Sequence, residues 1–94
     1  MTDRCLNAQT TGADGTNWVL RLADDGSAKL SHKGEPFASI AAGAALDLYR
    51  ATPNALPRMR GLLAALEQDG GAPIDERARA ALMSNAQWLD DRFG

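Results

Sequence analysis

The chain is predicted to fold as an α+β domain. An N-terminal antiparallel β-hairpin or three-stranded meander is followed by three α-helices, the last two an antiparallel helical hairpin. Three observations predict this. Apolar residues alternate one by one through the first third of the chain and recur every three or four residues from Pro36 onward. An Asp-Asp-Gly triplet separates two alternating stretches, which is the composition of a three-residue hairpin loop. A short Asp-Gly-Gly-Ala-Pro connection separates two helical stretches and makes them antiparallel neighbours.

The hairpin comes from Trp18, Leu20 and Leu22, which share one strand face while Arg21 points away, and from Ala28, Leu30 and His32, which alternate with Lys29, Ser31 and Lys33. With Asp24 and Asp25 in the right-handed helical region and Gly26 in the left-handed one, counting outward pairs Leu22 with Ala28, Leu20 with Leu30 and Trp18 with His32. All six then lie on one face, so pattern and turn chemistry agree on a register. Upstream, Leu6, Ala8 and Thr10 alternate with Cys5, Asn7 and Gln9. They form a candidate third strand, reached through TTGADGT; a lone hairpin is marginal in water and needs such cover.

The first helix is expected from Pro36, with Phe37, Ile40, Ala41, Ala44 and Leu48 as its apolar stripe, or from a later start capped by Ser39. Gly43 inside it suggests close packing on a neighbour. The run before Pro53 ends it, because residues preceding proline avoid the helical region. The second helix takes Leu56, Met59, Leu62, Leu63 and Leu66, tolerates Pro57 in its first turn and stops at Gly70-Gly71. The third follows Pro73 with Asp75 as N-cap, its stripe running Ala78, Ala81, Leu82, Asn85, Leu89 and Phe93. No internal repeat or second domain is apparent. Residues 1–94 read as one small globular domain, with a β part over about 4–33 and a helical part over about 36–93.

Composition narrows the function classes. The formal charge of −2 creates no global field for nucleic acid. No apolar run approaches the roughly 20 residues of a membrane span, so no membrane partner is expected. The single cysteine cannot form an internal disulfide, and no apolar leader follows Met1; the expected setting is cytoplasmic. Abundant Ala, Gly, Arg and Asp suggest a GC-rich bacterium or its phage. Aromatic residues make up 5% of the chain, and a core so thin suggests a monomer of modest stability, or a homodimer that buries more surface.

Nothing in the chain assembles a reactive centre. One His and one Cys, far apart, do not supply a zinc site. Asp14 with Asn17, and Asp24 with Asp25, do not complete a calcium loop and suit turns instead. His32 and Ser31 are consecutive strand residues facing opposite ways, and no nucleophile-elbow, Walker or dinucleotide motif occurs. No cofactor, metal or catalytic residue is expected. His32 reads as a half-buried strand residue beside Trp18, remote from Asp24 and Asp25.

The helix charges are inverted relative to the helix dipole. Arg58 and Arg60 begin the second helix, while Glu67 and Asp69 end it. Arg77 and Arg79 begin the third, and Asp90 and Asp91 end it. In an antiparallel pair, Arg58 or Arg60 would meet Asp90 or Asp91, and Arg77 or Arg79 would meet Glu67 or Asp69. The competing expectation is that these ends face a partner. The candidate partner-binding residues are therefore Arg50, Arg58, Arg60, Trp88, Asp90 and Asp91, with Met83 and Phe93 either core or interface. The expected function is a non-enzymatic protein-binding module that occupies a partner's surface. In size and style it is similar to phage or mobile-element accessory proteins such as anti-CRISPR inhibitors, although no motif carries that analogy. The alternative is a small transcriptional regulator or nucleic-acid binder using Arg50, Arg58 and Arg60; a small enzyme comes third.

Overall fold

The computed structural model describes residues 5–52 and 54–93, except for the side chain of residue 93. Pro53, the start of the expected β part at residue 4 and the packing of the Phe93 side chain lie outside what is described. Four strands, β1 (Leu6–Thr11), β2 (Asn17–Leu22), β3 (Ala28–His32) and β4 (Glu35–Ile40), form an antiparallel meander in that spatial order. Helices α1 (Ala42–Ala51), α2 (Ala55–Gly70), α3 (Glu76–Met83) and α4 (Ala86–Phe93) follow. The core lies between the inner sheet face and the helices: Trp18, Leu20, Leu22, Ala28 and Leu30 meet Tyr49, Met59, Leu62, Leu66, Leu82 and Leu89.

The β2–β3 register is the expected one, with Leu22 opposite Ala28, Leu20 opposite Leu30 and Trp18 opposite His32. The loop has the expected form: Gly26 has φ 98°, and the Ala23 amide donates to the Ser27 carbonyl at 2.9 Å. The third strand is present as β1, with Leu6, Ala8 and Thr10 turned inward. Its turn repeats the chemistry of the other. Asp14 accepts from the Thr16 amide and hydroxyl as Asp25 accepts from the Ser27 amide and hydroxyl, and Gly15 has φ 84°. The Asp-Gly-Thr and Asp-Gly-Ser triplets thus form two turns of the same chemistry. Both carboxylates sit below their ordinary pKa, chiefly because the hydroxyl and then the amide two residues on stabilise the anion.

The stretch from Pro36 to Ile40 is a strand and not the first turns of a helix. Lys33 and Gly34, at φ 58° and 80°, close a two-residue loop that matches the right-handed strand twist and returns the chain along β3. Pro36 suits an edge strand as well as a helix start, and here the edge wins. Pro36 and Phe37 together oppose Ser31, a bulge that turns Phe37 inward against Trp18 (5.2 Å between ring centroids, edge-on). The Phe37 ring lies on Gly70, where an added Cβ would come within 2.5 Å of it. Ser39 is no N-cap, since its amide donates to Asp69 at 2.9 Å from within β4; Ala41 occupies the cap of α1.

Because the strand absorbs Phe37 and Ile40, the α1 stripe moves by one residue. Ala45 and Tyr49 are buried, whereas Ala41 and Ala44 are exposed. Gly43 packs on nothing; a Cβ there would meet open space. In α2, Met59, Leu62, Leu63 and Leu66 are buried as expected, but Leu56 is 56% exposed. Asp75 caps α3, accepting from the amides of Arg77 and Ala78, and it also takes the Ala13 amide from the β1–β2 turn. Those amides, Ala13 foremost, hold its pKa low. The single expected third helix is bent into α3 and α4 at Ser84 and Asn85, where the Ser84 hydroxyl donates back to the Ala81 carbonyl at 2.6 Å. The bend brings Ala86 and Leu89 into the core.

Tyr49 ties the helical layer to the hairpin, its hydroxyl donating to the Gly26 carbonyl at 3.1 Å. Burial disfavours the phenolate and pushes its pKa up to about 12. The unfolded chain then loses this proton first, so the contribution is complete below about pH 10 and is lost as pH rises toward 12. Tyr49 is the only tyrosine, so phenolate absorbance reports it alone. The native protein is expected to titrate near 12, moving to about 10 when unfolded in urea; a native midpoint near 10 would refute the buried placement.

Candidate functional site

The predicted site residues separate into two groups. Arg58 is buried, with its side chain 7% exposed, although it lies in the first turns of α2. Its Nε donates to the Tyr49 carbonyl at 2.9 Å and to the Thr52 carbonyl, and its Nη1 donates to Asp90 at 2.8 Å. The charge inversion thereby disappears: this arginine serves the carbonyl end of α1, where a cation is favoured, and pairs with α4. At the other end of α2, Arg79 pairs with Glu67, which also accepts from the Ile74 amide at 2.7 Å. Both cross-helix pairings anticipated from the antiparallel arrangement are formed.

Arg50, Arg60 and Asp91 remain exposed, and Asp91 accepts from Gln87 at 3.2 Å. Trp88 is half-buried against the core with the Arg92 guanidinium 6.0 Å from its ring centre. Met83 is likewise half-buried against the core. Arg92 pairs with Asp24 of the β2–β3 turn, a contact absent from the sequence expectations because it joins residues remote in the chain. The arginine cluster is therefore not a unit: Arg58 is engaged inward, leaving Arg50 and Arg60.

His32 gathers the remaining polar chemistry. It stacks on Trp18 at 3.7 Å and 12°, and its Nε2 lies 2.8 Å from the Thr16 hydroxyl, which lies 2.6 Å from Asp14. Histidine, hydroxyl and carboxylate in a row resemble a nucleophile relay, yet the proton order is reversed. The Thr16 hydroxyl donates its single hydrogen to Asp14, which leaves it only an acceptor's role toward the His32 ring nitrogen. An activated hydroxyl requires the imidazole to accept that proton. Here the chain instead fastens the β1–β2 turn to β3. Among the described residues no three His, Cys, Asp or Glu side chains converge as metal ligands.

The surface that the sequence analysis did not single out is the outer face of the sheet. All the helices pack on the inner face, leaving Asn7, Gln9, Asn17, Val19, Arg21, Lys29 and Ser31 pointing away from them. Arg21 and Lys29 are cross-strand partners, flanked in the same row by Asn7 and Ser39. Both are exposed, and among the described residues neither has an ion-pair partner. The signal was available, since the register that opposes Leu22 to Ala28 also opposes Arg21 to Lys29.

Comparison of the chain with protein-family models, with curated proteins and with solved structures finds no match.

Replacing Arg58 by Ala takes its donor from the Thr52 carbonyl and from the half-exposed Asp90, and leaves the Tyr49 carbonyl only the Thr52 amide. Urea unfolding is expected to show a loss of about 3 kcal/mol. Asp90→Ala is expected to cost about 1 kcal/mol, because its side chain is 35% exposed and Arg58 retains the carbonyls. Equal losses for the two variants would contradict this arrangement.

Proposed function

We propose that the protein is a non-enzymatic binding module that covers part of a partner protein's surface with the open face of its sheet. The observation that supports this reading is the one-sided architecture. The inner face is filled by the core and the helices, and the cross-helix charges satisfy one another, while the outer face of β1–β3 is mostly exposed and polar, with Val19 and Ser31 half-buried. An open, mostly polar face with only a shallow cleft, at rigid cross-strand spacing, suits surface complementarity better than small-molecule capture, which needs an enclosed apolar pocket. A module of this size and build fits the class of phage and mobile-element accessory proteins, anti-CRISPR inhibitors among them, that act by occupying a target. Nucleic-acid binding through Arg50, Arg58 and Arg60 is the weaker reading, because Arg58 is buried in its own contacts.

The test is a bulk substitution on the face. Val19 and Ser31 are cross-strand partners, and Val19→Tyr with Ser31→Tyr adds volume without charge in residues that strands accept. Wild-type protein coupled to a resin is expected to retain a protein from bacterial lysate that reconstitutes as a defined complex by light scattering. The double variant is expected to lose it while keeping the wild-type melting temperature within a few degrees. A complex insensitive to these substitutions would move the site to the helical side.

Self-association is a second reading with its own observation. The β4 edge is guarded by Pro36, by the bulge and by Asp69 on the Ser39 amide. The β1 edge carries no charge, proline or bulge. Because Gly12 donates across the turn to Thr16, antiparallel alternation directs the amides of Asn7, Gln9 and Thr11 outward. Light scattering is expected to show a concentration-dependent dimer that Gln9→Pro abolishes without disturbing the β1–β2 bonds. A wild-type monomer at all concentrations would discard this reading.

A further inference from the structure

We infer that the outer sheet face recognises an acidic segment of its partner protein, with Arg21 and Lys29 as the paired anchors. This rests on the sheet-face reading above and names the partner's chemistry.

The starting point is a local arrangement that folding alone does not favour. Arg21 and Lys29 stand directly opposite one another on adjacent strands, and like charges in that position destabilise a sheet. An acid at either place would have stabilised it. The carboxylates around this end of the sheet are already engaged. Asp24 pairs with Arg92, Asp25 accepts from the Ser27 amide and hydroxyl, and Asp69 accepts from the Ser39 amide. Among the described residues neither cation forms an ion pair, although Asp69 borders a neighbouring cleft with Lys29. They line a cleft of ≈380 Å³ together with Cys5, Asn7 and Ser27. Asn7 stands beside Arg21 in the row and adds a neutral hydrogen-bonding amide.

A cationic row on a chain whose formal charge is −2 selects and orients an anionic partner. Nucleic acid fits less well. Stacking of bases needs aromatic platforms, and Trp18, Phe37 and Tyr49 are all on the helix side of the sheet, with Trp88 on α4. Two cations also neutralise few phosphates, so backbone affinity would be small. Side-chain carboxylates repeat at every second residue of an extended segment, a spacing that lets one segment offer acids to both cations.

Anisotropy of a fluorescein-labelled peptide rich in Asp and Glu, with single-stranded and duplex DNA of equal charge as separate arms, tests this. The peptide is expected to bind at about 0.05 M salt and to weaken steeply toward 0.5 M. Lys29→Glu is expected to weaken it by roughly tenfold or more, and Arg77→Glu, an equal charge change on α3, to leave it unaltered. The same Lys29→Glu substitution pairs with Arg21, so thermal unfolding is expected to rise by roughly 1–5 °C. Loss of binding together with gained stability separates recognition from a folding defect. Three results overturn the inference: no peptide binding at low salt, peptide binding indifferent to Lys29→Glu, or DNA bound more tightly than the peptide. A reconstituted complex that is lost in the tyrosine variant but persists in Lys29→Glu overturns the acidic anchor and leaves the sheet-face reading intact. A complex indifferent to both sets of substitutions overturns the two together.

Discussion

A buried guanidinium must have every contact arranged around it, because a charge taken out of water without partners costs several kcal/mol. Arg58 meets that demand by drawing three helices to one point. The last carbonyls of α1 face its Nε, its own backbone lies in α2, and Asp90 approaches from α4. The ends of α1 and α2, and the path of α4 across them, follow from this geometry. The same carbonyl end carries Tyr49, whose hydroxyl reaches Gly26 in the hairpin turn, so the helical layer and the sheet are joined through adjoining residues. Gly26 has little tolerance of its own: φ is 98°, and a Cβ there would come within 3.0 Å of Leu46.

Around that junction the charges divide by face. On the helical side three arginines are paired, Arg58 with Asp90, Arg79 with Glu67, and Arg92 with Asp24, while Arg50 and Arg60 stay exposed. Exposed or half-exposed pairs of this kind contribute modestly to stability but fix register between elements. On the sheet's outer face, Arg21 and Lys29 have no ion-pair partner among the described residues.

The hairpin was legible because two independent signals agreed. The turn triplet demands a particular loop, and only one register for that loop puts Trp18, Leu20, Leu22, Ala28, Leu30 and His32 together. The β4 strand was not legible because Phe37, Ile40, Ala41 and Ala44 are spaced as a helix face would be, and Pro36 is acceptable to either structure. What decided between them was the Lys33–Gly34 loop and the free edge of β3. Lysine is not a residue that announces a positive φ. The bend at Ser84 and Asn85 was concealed likewise, since neither residue forbids a helix and the side chain that competes for the Ala81 carbonyl shows itself only in space. Of the candidate surface, the opposition of Arg21 to Lys29 was implicit in the register. That the face beneath them is uncovered was not, because it depends on all the helices choosing the other side.

The sequence by itself determined the class of the fold, the hairpin register and the cap at Asp75. Each of these follows from local backbone preference or from periodicity, and both are properties of neighbouring residues. Only the tertiary structure decided that a fourth strand displaces the start of the first helix, and that the charged helix ends pair with one another. It also decided that Arg58 turns inward to the α1 carbonyls, and that Asp24 is held by Arg92. Those outcomes join residues remote in the chain, where burial and hydrogen-bond satisfaction outweigh local propensity.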